Sequence, residues 1–160
     1  MRVVVIIIMS RTSRGNTLVW GTANPEGLRG GYKGVYLNAD DITSMVEQVG
    51  QANRQGTPIP VKLEHTGVPL GAVVSAWENK GTLECVLEIN ESVLEGSISA
   101  EFLRSGICKD LSLGYTVDMH QSKKSGVIQS KRKLLNEVSL VVKGARKNCQ
   151  VHGISKKTFP

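Results

Sequence analysis

The chain has 160 residues, 40% hydrophobic and 21% charged, with a net charge of +6; this excludes a disordered polymer and fits one domain able to bury a core without disulfide or metal staples. The longest apolar run, residues 3–9, is far below the roughly 20 residues of a membrane-spanning helix, so neither a membrane span nor a targeting segment is expected. Cys85, Cys108 and Cys149 lack C-x-x-C spacing, which argues against a disulfide framework and a zinc site and for an intracellular, reducing setting.

In chain order, apolar and β-branched runs at residues 3–9, 17–23, 60–64, 71–77, 82–89, 111–117 and 134–142 read as strands. The Gly-rich stretch 27–34 reads as turns or a loop. Residues 39–55 read as a helix capped by Asp40 or Asp41, with Ile42, Met45, Val46 and Val49 on its core face. A second helix is expected over 91–105, carrying Val93, Leu94, Ile98, Phe102 and Leu103, with Gly106 placed to end it. The polar segment 121–133 reads as a hairpin tip or flexible excursion around a short strand-like piece at 127–129.

Many strands and few helices, without regular alternation, predict a mostly β fold with flanking helices (α+β). The specific expectation is a closed or nearly closed antiparallel β-barrel of about six to seven strands. No linker or repeat divides the chain, so 1–160 is expected to be a single domain.

The positive charge gathers in the C-terminal third, at Lys123, Lys124, Lys131, Arg132, Lys133, Lys143, Arg146, Lys147, Lys156 and Lys157. Such charge reads as a solvated face or as attraction to an acidic partner. Nucleic-acid binding is disfavoured, because the chain has only two Trp, three Tyr and two Phe and no recognisable nucleic-acid-binding signature.

Three residues combine into a chemical constellation. His65 ends the run 60–64 and precedes Thr66 and Gly67, putting an imidazole suited to proton transfer at a strand-to-turn junction. Ser112 lies in Leu111-Ser112-Leu113-Gly114-Tyr115, where alternation puts Ser112 and Gly114 on one face. A serine there equally reads as a small residue making room inside a barrel. Glu137 opens Glu137-Val138-Ser139-Leu140-Val141-Val142, whose alternation sends Glu137, Ser139 and Val141 one way; it reads either as a solvated strand end or as the acid that orients the imidazole.

The strings around these residues jointly resemble the superfamily that joins herpesvirus assemblins with tailed-phage prohead proteases. Leu63-Glu64-His65-Thr66 followed by Leu70-Gly71-Ala72-Val73-Val74 is similar to its histidine motif, which leads into a glycine-initiated strand. Asp110-Leu111-Ser112-Leu113-Gly114-Tyr115 resembles the nucleophile strand, and Asn136-Glu137-Val138-Ser139-Leu140-Val141 resembles the third strand of the phage members. Herpesvirus enzymes carry a second histidine where Glu137 stands, which makes His120 and His152 rival third members.

Lys143-Gly144-Ala145-Arg146 is similar to the assemblin segment of a glycine and two arginines, of which only the second arginine is kept. The resemblance implies a serine endopeptidase with Ser112 as nucleophile, His65 as base and Glu137 as orienting acid. Its oxyanion site would be the Gly144 to Arg146 loop, through the Ala145 amide and the Arg146 side chain. Neither a cofactor nor a metal is implied.

The implied partners are scaffold or capsid precursor protein and a second copy of the chain, as a homodimer; composition disfavours nucleic acid, and no membrane partner is expected. The implied place is the immature capsid, in the host nucleus for a herpesvirus-like source and the host cytoplasm for a phage-like one. Against this stands a non-catalytic capsid- or scaffold-associated barrel, or a basic nucleic-acid-binding module.

Overall fold

The computed structural model describes residues 16–24, 37–121 and 128–155, with backbone alone for 118–121 and 128–132. The expected strand 3–9 and loop 27–34 lie outside the described residues. The elements run β1 (Thr17–Asn24), α1 (Ala39–Arg54), β2 (Pro60–Leu63), β3 (Thr66–Asn79), β4 (Thr82–Ile89), α2 (Leu94–Arg104), β5 (Asp110–Gln121), β6 (Ile128–Val141) and β7 (Val151–Ile154).

The strands form one sheet in the order β5-β6-β2-β3-β4-β1-β7. Its two edges meet: Leu111 N donates to Cys149 O at 2.9 Å, Val151 N donates to Lys109 O at 2.9 Å, and Asp110 bridges Gln150. The sheet is thus curled into a nearly closed barrel, the mostly β architecture with flanking helices that the strand runs predict. One pair, β2 with β6, is parallel, in the register Val61 with Val138 and Leu63 with Leu140.

The core gathers Val19, Val61, Leu70, Val73, Leu87, Ile89, Leu111 and Leu140 from the strands and Ile42, Met45 and Val49 from α1. This is the α1 face expected from helical spacing, but the cap differs. Asn38, not Asp40 or Asp41, is the N-cap, and Asp41 is its reciprocal partner. Asn38 Oδ1 accepts from Asp41 N, and Asp41 Oδ2 accepts from Asn38 N, each at 2.9 Å. In α2, Gly106 follows the helix at φ 77° and turns the chain away, as its position suggested.

Lys133 corrects the reading of a uniformly solvated basic face: it is buried, and its Nζ lies 2.9 Å from Asp41 Oδ2. Beside it, Gln48 donates to Lys133 O at 3.0 Å and accepts from Leu135 N at 2.8 Å. Short β2 pairs with β6 only around Val138 to Leu140, so the Gln48 amide satisfies backbone groups that β2 does not reach. Helix α1 is thereby fixed to the strand that carries Glu137.

Candidate active site

The site is built on the β2–β3 hairpin and the adjoining strands β6 and β5. Leu63 pairs with Thr66, leaving Glu64 and His65 as a two-residue turn, both with positive φ, 52° and 59°. Such turns normally take Asn or Gly, because left-handed backbone costs about 1–2 kcal/mol for an ordinary L-residue. Three hydrogen bonds to β6 and its continuation hold it. Glu64 N donates to Leu140 O at 3.0 Å, His65 N to Ser139 Oγ at 3.0 Å, and Val142 N to Glu64 Oε1 at 2.7 Å.

Cross-strand register supplies the rest. Ser112 pairs with Ser139 and Gly114 with Glu137, and directly opposed residues share a face. That face therefore carries two hydroxyls, one carboxylate and a position without a side chain. A Cβ at position 114 would lie 2.7 Å from Glu137 Cδ, so the glycine is where the Glu137 side chain folds over its neighbour strand.

Within this frame His65 Nε2 lies 2.8 Å from Ser112 Oγ, while Nδ1 contacts Glu137 Oε1. The carboxylate's other oxygen, Oε2, accepts from Ser139 Oγ at 2.6 Å. Ser112 and Glu137 are each 8% exposed, whereas the His65 side chain is 41% exposed, so serine and carboxylate are shielded and the imidazole faces the opening. A cleft of about 620 Å³ is lined by Glu64, His65, Ser112, Tyr115, Ala145 and Arg146 among others.

The chain aligns in space with the protease of KSHV, solved in complex with a hexapeptide phosphonate inhibitor, at a TM-score of 0.54 and 16% identity, over 88% of this chain and 65% of that one. It also aligns with varicella-zoster virus protease, at a TM-score of 0.50 and 17% identity, over 88% and 64%. This chain has the herpesvirus-protease fold. It spans somewhat less than two-thirds of the length of those two enzymes. No protein-family model and no curated protein matches the sequence.

On this herpesvirus-protease fold, the loop after β6 forms another wall of the cleft. Gly144 N donates to Asp110 Oδ2 at 2.9 Å, so the Gly144 amide serves as an anchor and is not free for a substrate. Ala145 is an exposed residue, and its amide has no partner among the described residues. Arg146 corrects the solvated-cation reading: it is 6% exposed, its Nη2 lies 2.5 Å from Tyr115 Oη, and its Cζ sits 5.3 Å from the Tyr115 ring centroid. Its Nε is buried without a hydrogen-bond partner, an uncommon state for a guanidinium donor.

Of the rival histidines, His152 is engaged elsewhere. His152 Nε2 lies 2.6 Å from Thr22 Oγ1, which also contacts both carboxylate oxygens of Glu84. The His120 side chain lies outside the described residues. Tyr115, Ser139 and Asp110 carry parts of the site that sequence reading left unassigned. Strand alternation had already set Ser139 on the face of Glu137, the one signal that pointed to it.

All three cysteines are buried. Burial, with Glu84 and Cys149 nearby, pushes the Cys85 thiol up to about 12. Burial also pushes Cys149 up to about 12, with Arg146 opposing and Asp110 adding. Cys108 is raised by burial and by Glu64. A raised pKa keeps the thiol protonated, and it is the thiolate that acts as nucleophile. Among the described residues no cluster of three or more His, Cys, Asp or Glu could hold a metal, and no helix is long and apolar enough to cross a membrane.

Proposed function

We propose that this chain is a serine endopeptidase that cleaves scaffold or capsid precursor protein, itself included, during viral capsid maturation. The observation that carries the reading is one imidazole contacting a serine hydroxyl through Nε2 and a carboxylate through Nδ1, on the wall of an open cleft. In this reading His65 Nε2 takes the Ser112 proton as Oγ attacks the peptide carbonyl, and Glu137 accepts the Nδ1–H and stabilises the imidazolium. His65 then protonates the leaving amine, and water releases the acyl group by the same route.

The oxyanion would meet the Ala145 N–H and the Arg146 guanidinium, both on the cleft wall. Arg146→Ala is expected to lower kcat by about 10²- to 10³-fold, and also the thermal midpoint, since it removes a buried side chain packed on Tyr115. Arg146→Lys should keep the charge but not the activity, because an ammonium lacks the planar fork; equal kcat for the Arg146→Lys variant and wild type would remove the guanidinium from the mechanism.

Scaffold or capsid precursor as substrate, homodimerisation and work inside an immature capsid belong to this proposal. So does the host compartment, nucleus or cytoplasm according to source. The nucleic-acid alternative is weakened by Lys133 and Arg146, whose charges are buried and engaged within the fold.

The reading is tested by incubating the protein with a fluorophosphonate. Labelling at Ser112 that blocks cleavage of scaffold precursor is expected, whereas iodoacetamide at neutral pH should leave cleavage intact because the thiols are buried and protonated. Cleavage that persists after Ser112 is fully labelled would remove the serine mechanism.

A further inference from the structure

We propose that Ser139 is a positioning residue that sets base and acid together through one hydroxyl, an inference that rests on the serine-endopeptidase reading. Ser139 is completely buried and stands opposite Ser112 in the sheet. Its Oγ accepts from the backbone N–H of His65 at 3.0 Å and donates to Glu137 Oε2 at 2.6 Å. A hydroxyl has one proton to give and lone pairs to receive, so both contacts are made at once in a fixed direction.

The two contacts act on different weaknesses of the site. His65 sits at φ 59°, a conformation a histidine holds only where surrounding structure over-determines it; the bond to its N–H is one of the three that tie the turn to β6. Glu137 has a flexible side chain, and without a second partner its carboxylate can rotate away from His65 Nδ1. Fixing Oε2 on Ser139 leaves Oε1 for the imidazole, which selects the tautomer with Nδ1 protonated and Nε2 free to accept from Ser112.

Removing the hydroxyl therefore loosens backbone and carboxylate together, while no contact with a substrate is lost. Ser139→Ala is expected to lower kcat by about 10²-fold, the scale of a small misplacement of reacting groups, with KM unchanged. The ring ¹⁵N shifts of His65, read by NMR without substrate, should move from the Nδ1–H tautomer toward a mixture. Ser139→Thr, which keeps the hydroxyl, should retain the tautomer and restore most of kcat.

An unchanged His65 tautomer in Ser139→Ala overturns the proposal whatever the rate does; should that variant not fold, Ser139→Cys, similar in size with a weak donor, is judged by the same criterion. Because the tautomer is measured without cleavage, a protein with no peptidase activity would sink the endopeptidase reading while the NMR result still decides the role of Ser139.

Discussion

Ser112→Ala is expected to reduce kcat of the proposed endopeptidase by about 10⁶-fold, the size of loss seen when the nucleophile leaves a serine–histidine–acid unit. The hydroxyl's hydrogen-bond partner is His65 Nε2 at 2.8 Å, and that imidazole is open enough for water to replace it, so stability should change by less than about 1 kcal/mol. The measurement is single-turnover cleavage of precursor beside thermal unfolding of the same variant. A folded Ser112→Ala protein that cleaves within tenfold of wild type would mean that the nucleophile lies elsewhere.

Gly114→Ala is the second large effect, and it separates activity from stability. Gly114 has no positive φ, so alanine fits its backbone; the obstacle is the Glu137 side chain, whose Cδ would lie 2.7 Å from the new methyl. The carboxylate is the mobile end of its side chain and can retreat, at a stability cost of about 1–3 kcal/mol. By retreating it leaves His65 Nδ1 and Ser139 Oγ, the partners that hold it.

The expected loss is about 10³- to 10⁴-fold in kcat, close to that of Glu137→Ala, since removing the orienting acid of such a unit costs up to about 10⁴-fold. The double variant Gly114→Ala/Glu137→Ala should be no slower than Glu137→Ala alone, because the methyl then has nothing to displace. Multiplying losses in the double variant would show that Gly114 acts by another route.

Much of this was legible in the chain because it depends on local pattern. Apolar and β-branched runs identify β4 over Thr82–Ile89 and the core of β5 and β6, and period-two alternation sends Glu137 and Ser139 to one face. Helical spacing identifies the α1 stripe of Ile42, Met45 and Val49. Position before the apolar run points to the aspartates as its cap; the extended backbone of Asn38 instead puts that residue in a capping box with Asp41. Strand β7, only Val151–Ile154, is too short for an alternation signal, and its pairing with β1 joins residues more than a hundred positions apart, which no local pattern encodes.

By itself, the sequence determined which residue types are available and which of them share a strand face: a serine and a glycine on β5, a glutamate and a serine on β6, a histidine beside a turn. These follow from periodicity within a few residues, which side-chain direction obeys wherever a strand forms. Only the tertiary structure decided that the faces meet. The register of β5 on β6 set Ser112 against Ser139 and Gly114 against Glu137, and parallel pairing of β2 with β6 carried the His65 turn to them. It likewise buried Lys133 and Arg146 on Asp41 and Tyr115. Register and burial are outcomes of packing the whole barrel, so charges that look alike along the chain end in opposite environments.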